Sequence, residues 1–76
     1  MKYKSVSIDP EILGGTPVFT GTRVPIQTLF DYLEGSDTLE AFLDDFPSVA
    51  KEQAVELLEM AKVSLTTEKF LNENFA

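Results

Sequence analysis

Reactive side chains are scarce in this 76-residue chain, which contains no histidine, cysteine or tryptophan. Nucleophile systems built on Ser-His-Asp or Cys-His are therefore impossible, a zinc site would have to be all-oxygen, and carboxylates are the only plausible general bases. The adjacent acids Asp44 and Asp45 stand just before Pro47, with no oxygen-ligand loop of calcium-binding spacing around them, so they read as solvated helix-end residues. Gly14-Gly15-Thr16 is not followed by the Gly-Lys-Ser/Thr of a phosphate-cradling loop, and its glycines are expected to supply positive φ in a turn. No catalytic residue, metal site or cofactor is expected. The chain reads as a binding protein, not an enzyme.

What it offers a partner is charge. The net value is -7, unevenly spread. Residues 1–30 carry Lys2, Lys4 and Arg23 against Asp9 and Glu11, a net of +1, whereas residues 31–76 set eleven acids against Lys51, Lys62 and Lys69, a net of -8. Nucleic-acid affinity rests largely on neutralising phosphates, so the acidic body should repel DNA and RNA and attract a basic protein surface. Glu52, Glu56 and Glu59, on the longest expected helix, are the candidate partner-binding acids. Phe70, Leu71 and Phe75 join them as apolar groups near the C-terminus whose docking place is the core, a second subunit or a partner. Candidate nucleic-acid contacts are Lys2, Lys4 and Arg23, with Lys51 and Gln53 at the start of the third helix. Arg23 stands out because its planar fork suits phosphate and carboxylate alike. Glu52 and Glu56 beside Lys51 and Gln53 make a poor balance for a phosphate-lined groove, so the protein alone is expected to bind duplex DNA weakly.

The elements that position these residues can be read from periodicity. Val6 and Ile8 alternate with Ser5 and Ser7, and Pro10, Gly14, Gly15, Pro17 and Gly21 punctuate the next stretch of chain. Two short strands are predicted, at about residues 4–8 and 17–20. From Pro25 the period becomes helical, with Ile26, Leu29, Phe30 and Leu33 on one face, Pro25 at the first helical position and Gly35 at the stop. Leu39, Phe42, Leu43 and Phe46 repeat the spacing, with Asp37 as the expected N-cap, Glu40 three residues on, and Pro47 closing the helix. A third helix runs from about Lys51 to Leu65, with Ala54, Leu57, Leu58, Ala61 and Leu65 inward. The expected architecture is mainly α, a tri-helical unit of helix-turn-helix type with a short N-terminal β element. It divides into a β/loop arm (1–24), a tri-helical core (25–65) and a tail (66–76).

The run Ile8-Asp9-Pro10-Glu11-Ile12-Leu13-Gly14-Gly15-Thr16-Pro17 and the later Gly21-Thr22-Arg23-Val24-Pro25 resemble the bacterial and archaeal domain-of-unknown-function family four-three-three. Its members look like small VapB-type antitoxins, and the likeness covers residues 6 to 62. The resemblance implies the homeodomain-like fold and a partner that is a PIN-like ribonuclease toxin, which this chain would bind and inhibit. Its alternative is a helix-turn-helix DNA-binding (auto)regulator. Ala50 stands where similar proteins tend to have Thr or Ser before the third helix, so Ser48 is the expected substitute cap. Within the signature a scaffold role is expected for Asp9, Pro10, Gly14, Pro17, Gly21, Thr22 and Arg23. Asp9 would cap a turn, Gly21 would take a left-handed conformation, and Arg23 would bond loop carbonyls or Asp9.

Composition sets the remaining expectations. Hydrophobic residues at 43% and charged residues at 25% fit a folded globular chain. A core this small gains from a second subunit, so a homodimer is expected. No apolar run reaches the roughly 18 residues of a membrane span, and no signal segment follows Met1, so a cytoplasmic location is expected.

Overall fold

The computed structural model describes residues 5–66. Strands β1 (Val6–Ser7) and β2 (Val18–Phe19) precede helices α1 (Ile26–Glu34), α2 (Leu39–Asp45) and α3 (Lys51–Thr66). The class is the expected one: mainly helical, three helices behind a two-stranded antiparallel ribbon, with Val6 opposite Phe19 and Ser7 opposite Val18. The strands are shorter than their pattern suggested because the chain turns away at both ends.

Between the strands, the signature loop is built from positive φ. Asp9 Oδ1 accepts from the Glu11 N–H at 2.9 Å, the side-chain turn expected of an Asp before Pro10. A 3-10 turn over Leu13–Gly15 follows, in which Leu13 (φ 51), Gly14 (φ 67) and Gly15 (φ 95) are all left-handed. After β2, Gly21 (φ 81) lets the chain reverse. The buried Thr22 then donates to the Phe19 carbonyl at 2.7 Å and accepts from the Val24 N–H at 3.0 Å. Pro25 is not the first helical residue but the extended N-cap of α1 (ψ 141). It is held there as a bridge partner of Val18, while Ile26 N–H donates to the Pro17 carbonyl at 3.1 Å.

Helix α1 ends in a Schellman motif: Ser36 N–H donates to Leu33 O and Asp37 N–H to Tyr32 O. The left-handed position falls on Ser36 (φ 72), not on Gly35 (φ -88). Ser36→Gly is therefore expected to raise stability by up to about 1 kcal/mol, since it relieves the left-handed penalty of an L side chain. Chemical denaturation of the two proteins checks the sign. At α2 the N-cap is Thr38 and not Asp37, because Thr38 Oγ1 reaches the Ala41 N–H at 3.0 Å. Glu40 then sits one position too early for a capping box.

The core joins the ribbon to all three helices: Phe19, Leu29, Phe42, Val49, Ala54 and Leu57 are buried together. An aromatic stack forms its centre, with Phe42 lying 5.8 Å from Phe19, 5.5 Å from Tyr32 and 5.2 Å from Phe46, centroid to centroid. Tyr32 donates its hydroxyl to Asp45 Oδ2 at 2.6 Å, so α1 and α2 are also tied at the rim. That hydrogen bond to a carboxylate, with smaller help from desolvation and from the charges of Asp45 and Asp37, raises the tyrosine pKa above its ordinary 10.0. Two expected core positions lie outside: Leu33 is 37% and Leu65 56% exposed. Leu33 overhangs the end of α1, and α3 runs past the packed part of the molecule.

Candidate functional site

Among the described residues, helix α3 carries most of those with candidate binding roles, and its environment divides them. Its inner face buries Ala54 and Leu57. Gln53 and Glu56, one turn apart on its flank, grip the open end of the ribbon. Gln53 Nε2 donates to the Thr20 carbonyl at 2.9 Å, and Glu56 Oε1 accepts from the Ser5 N–H at 3.1 Å. Ser5 and Thr20 continue the β1–β2 register, and Thr20 N–H donates to Ser5 O at 2.9 Å. The reciprocal Ser5-to-Thr20 bond of this rung is replaced by the two α3 side chains, one accepting and one donating.

Gln53 has a second task. Its Oε1 accepts from the Ala50 N–H at 2.9 Å, the backward half of a capping box. Helix α3 begins at Lys51; Gln53 satisfies the Ala50 N–H just before it, and Ser48 makes no capping hydrogen bond among the described residues. Gln53→Ala is expected to cost about 1–2 kcal/mol, the sum of a lost cap and a lost tie to the ribbon. Hydrogen exchange at Ala50 and Thr20, read alongside the midpoint of denaturation, checks that both ends loosen.

The outward face of α3 is different in kind. Glu52, Val55, Glu59 and Val63 stand at i, i+3, i+7 and i+11 and are all exposed. Glu59 has an ion pair with Lys62 at 3.9 Å, with both side chains over 60% exposed, a geometry that contributes little. Over residues 5–66 eleven carboxylates face only Arg23, Lys51 and Lys62, a net charge of -8, and no other ion pair forms among the described residues. The exposed acids of α1, α2 and their link, Asp31, Glu34, Asp37, Glu40 and Asp44, extend this field. Among the described residues no three acids gather closely enough to hold a metal ion.

Of the candidate partner-binding acids, then, Glu52 and Glu59 share an exposed stripe while Glu56 is half-buried under the ribbon. Of the candidate nucleic-acid contacts, Gln53 is occupied within the fold, Lys51 is exposed at the helix start, and Arg23 is exposed. Arg23 makes no hydrogen bond or ion pair with another described residue, so the bond expected to Asp9 or to loop carbonyls does not form there. Lys2, Lys4, Phe70, Leu71 and Phe75 lie outside the described residues. Asp9, Pro10, Gly14, Pro17, Gly21 and Thr22 form the turns that carry β2 into the core. The sequence reading missed the clamp made by Gln53 and Glu56; a glutamine three residues into a helix whose N-cap is Ala50 was the available signal.

Comparison with known proteins is consistent with this architecture. The sequence profile of a family described as protein of unknown function (DUF433) matches residues 6–61. An uncharacterized protein, y4eO, from Sinorhizobium fredii is 40% identical over 48 residues, which are 63% of this chain and 22% of that protein. The matched stretch is thus a small part of that relative's length. A crystal structure of a DUF433 member from Anabaena variabilis is similar with a TM-score of 0.68 at 21% identity, covering 92% of this chain and 67% of that one. No helix among the described residues is long and apolar enough to cross a membrane.

Proposed function

The chain belongs to the DUF433 family of proteins of unknown function, and we propose that it is an antitoxin-like inhibitor that binds a basic ribonuclease of the PIN-like kind. The observation that carries this reading is the exposed stripe Glu52-Val55-Glu59 on α3, set in a body of net charge -8 in which, among the described residues, Glu59 is the only carboxylate in an ion pair. An RNA-cleaving surface must attract phosphates, so a fixed array of carboxylates competes for the same cations and speeds encounter. Val55 at the centre of the stripe and Val63 at its end add apolar contact, where desolvation strengthens a bound complex.

Binding to DNA as a helix-turn-helix regulator is the second reading. Exposed Arg23, which has no partner among the described residues, and exposed Lys51 favour it. The engagement of Gln53 and Glu56 with the ribbon counts against it, since it removes polar side chains from the first turns of the would-be recognition helix. Co-expression with the protein of the adjoining reading frame, followed by an RNA-cleavage assay of the copurified pair, tests the proposal. Stoichiometric copurification with suppressed cleavage is expected. Absence of any complex, together with tight sequence-selective duplex binding at physiological salt, would transfer the assignment to DNA.

A further inference from the structure

The two edges of the β ribbon are unlike. On the far side of β2, Phe19 N–H donates to Val24 O and Thr22 N–H to Phe19 O, both at 3.0 Å, and Val18 bridges Pro25. That edge is covered by the chain's own return. Antiparallel ladders alternate residues that point their backbone groups at the neighbour with residues that point them away. The Thr20-to-Ser5 bond sets the phase: Ser5 and Ser7 address β2, so the N–H and C=O groups of Val6 and Ile8 point out of the ribbon. No hydrogen bond joins those groups to a described residue, and the Ile8 side chain is 66% exposed. Val6, Ser7 and Ile8 carry neither charge nor proline, the usual protections of a free edge.

We propose that a second copy of the chain adds to this edge, β1 antiparallel to β1, about a twofold axis at Ser7. An isologous pair of strands must be centred on one residue facing its own copy. Centred on Ser7, the outward groups of Val6 and Ile8 exchange backbone hydrogen bonds with those of Ile8 and Val6 in the second copy, and the exposed Ile8 side chain settles beside the opposing Val6. Asp9 falls opposite Ser5, so no like charges meet in the ladder. Centring on Ile8 would put Val6 opposite Pro10, which has no N–H to give. Centring on Val6 would leave the Ile8 side chain with no described residue opposite it. Among the three registers only the Ser7 one satisfies both outward residues while covering the apolar group. The acidic bodies of the two copies repel, so this dimer strengthens with added salt, opposite to the binding of a basic partner.

Sedimentation of the full chain alone, with two kinds of variant, is the test. The wild type is expected at twice the 8.4 kDa chain mass. Ile8→Pro removes an outward N–H without touching the β1–β2 ladder, and is expected to sediment as a monomer with unchanged far-UV circular dichroism. Ser7→Cys introduces the sole cysteine of the chain. In this register the two cysteines form a non-hydrogen-bonded pair about 4.5 Å apart at Cα, within disulfide reach, so mild oxidation should link the dimer far faster than it links Val6→Cys or Ile8→Cys. A monomeric wild type, a dimeric Ile8→Pro, or a Ser7→Cys no faster than the other two cysteines overturns the proposal. Because no ribonuclease enters the experiment, its outcome is independent of the proposed function.

Discussion

Phe42→Ala is expected to leave the chain largely unfolded at room temperature. Phe42 is fully buried and packs against Phe19, Tyr32 and Phe46, one ring from the ribbon, one from α1 and one from the end of α2. Removing it takes out a large side chain that touches all three, and the cavity borders on short elements. Phe-to-Ala changes in cores cost about 3–5 kcal/mol, and a single core in so small a domain rarely supplies more than about 3–5 kcal/mol in total. Loss of the helical circular dichroism signal, with Phe42→Leu retaining a cooperative melt, is the expected pair of results. A cooperative melt of Phe42→Ala within a few degrees of wild type would show that the aromatic stack is not the keystone of the fold.

The second large effect is on binding. Reversing both acids of the exposed stripe, Glu52→Lys with Glu59→Lys, is expected to leave the fold unchanged, because neither side chain is buried and neither takes part in the clamp. The affinity for a basic ribonuclease should fall roughly tenfold or more, since each reversal turns an attraction into a like-charge repulsion. Most of the loss should appear in the association rate and should shrink as salt is added. Glu56→Gln separates the two roles on the same helix. Its amide oxygen can still accept the Ser5 N–H, so stability is held, and its place beneath the ribbon predicts little change in partner affinity. Surface-plasmon measurement of the three proteins at two ionic strengths decides the matter. A double reversal that binds as well as wild type would remove α3 from the interface.

Local signals in the sequence accounted for most of the elements. The helical spacing of Ile26, Leu29 and Phe30, of Leu39, Phe42 and Leu43, and of Ala54, Leu57 and Leu58 located three helices, because each repeat is a property of neighbouring turns. Asp9 before Pro10, Gly14 and Gly21 foretold their turns for the same reason: the side-chain bond and the left-handed φ are satisfied within a few residues. Even so, caps slipped by one position. Thr38 and Asp37 compete for the same N–H groups, and only the direction in which the chain enters α2 selects Thr38.

Contacts distant in sequence were settled by packing alone. Tyr32 lies off the apolar stripe read for α1, yet it joins the aromatic stack because α2 brings Phe42, Phe46 and Asp45 to it. Phe19 and Val49 stand outside every helical repeat and are buried because the ribbon and the α2–α3 link close over the core. Glu56 carries the same charge as any acid of a solvated helix face, and nothing in its spacing distinguishes it from Glu52 and Glu59; Gln53 stands at a capping-box position, which says nothing of the ribbon. Glu56 and Gln53 become clamp residues because the Ser5–Thr20 rung, 51 residues from Glu56 and 33 from Gln53 along the chain, ends against that flank of α3. Short-range sterics and composition were enough to say which segments coil, where they turn and that the surface is acidic. Which acids face a partner and which hold the fold depended on how the helices and ribbon pack, a choice made by long-range burial that no local pattern encodes.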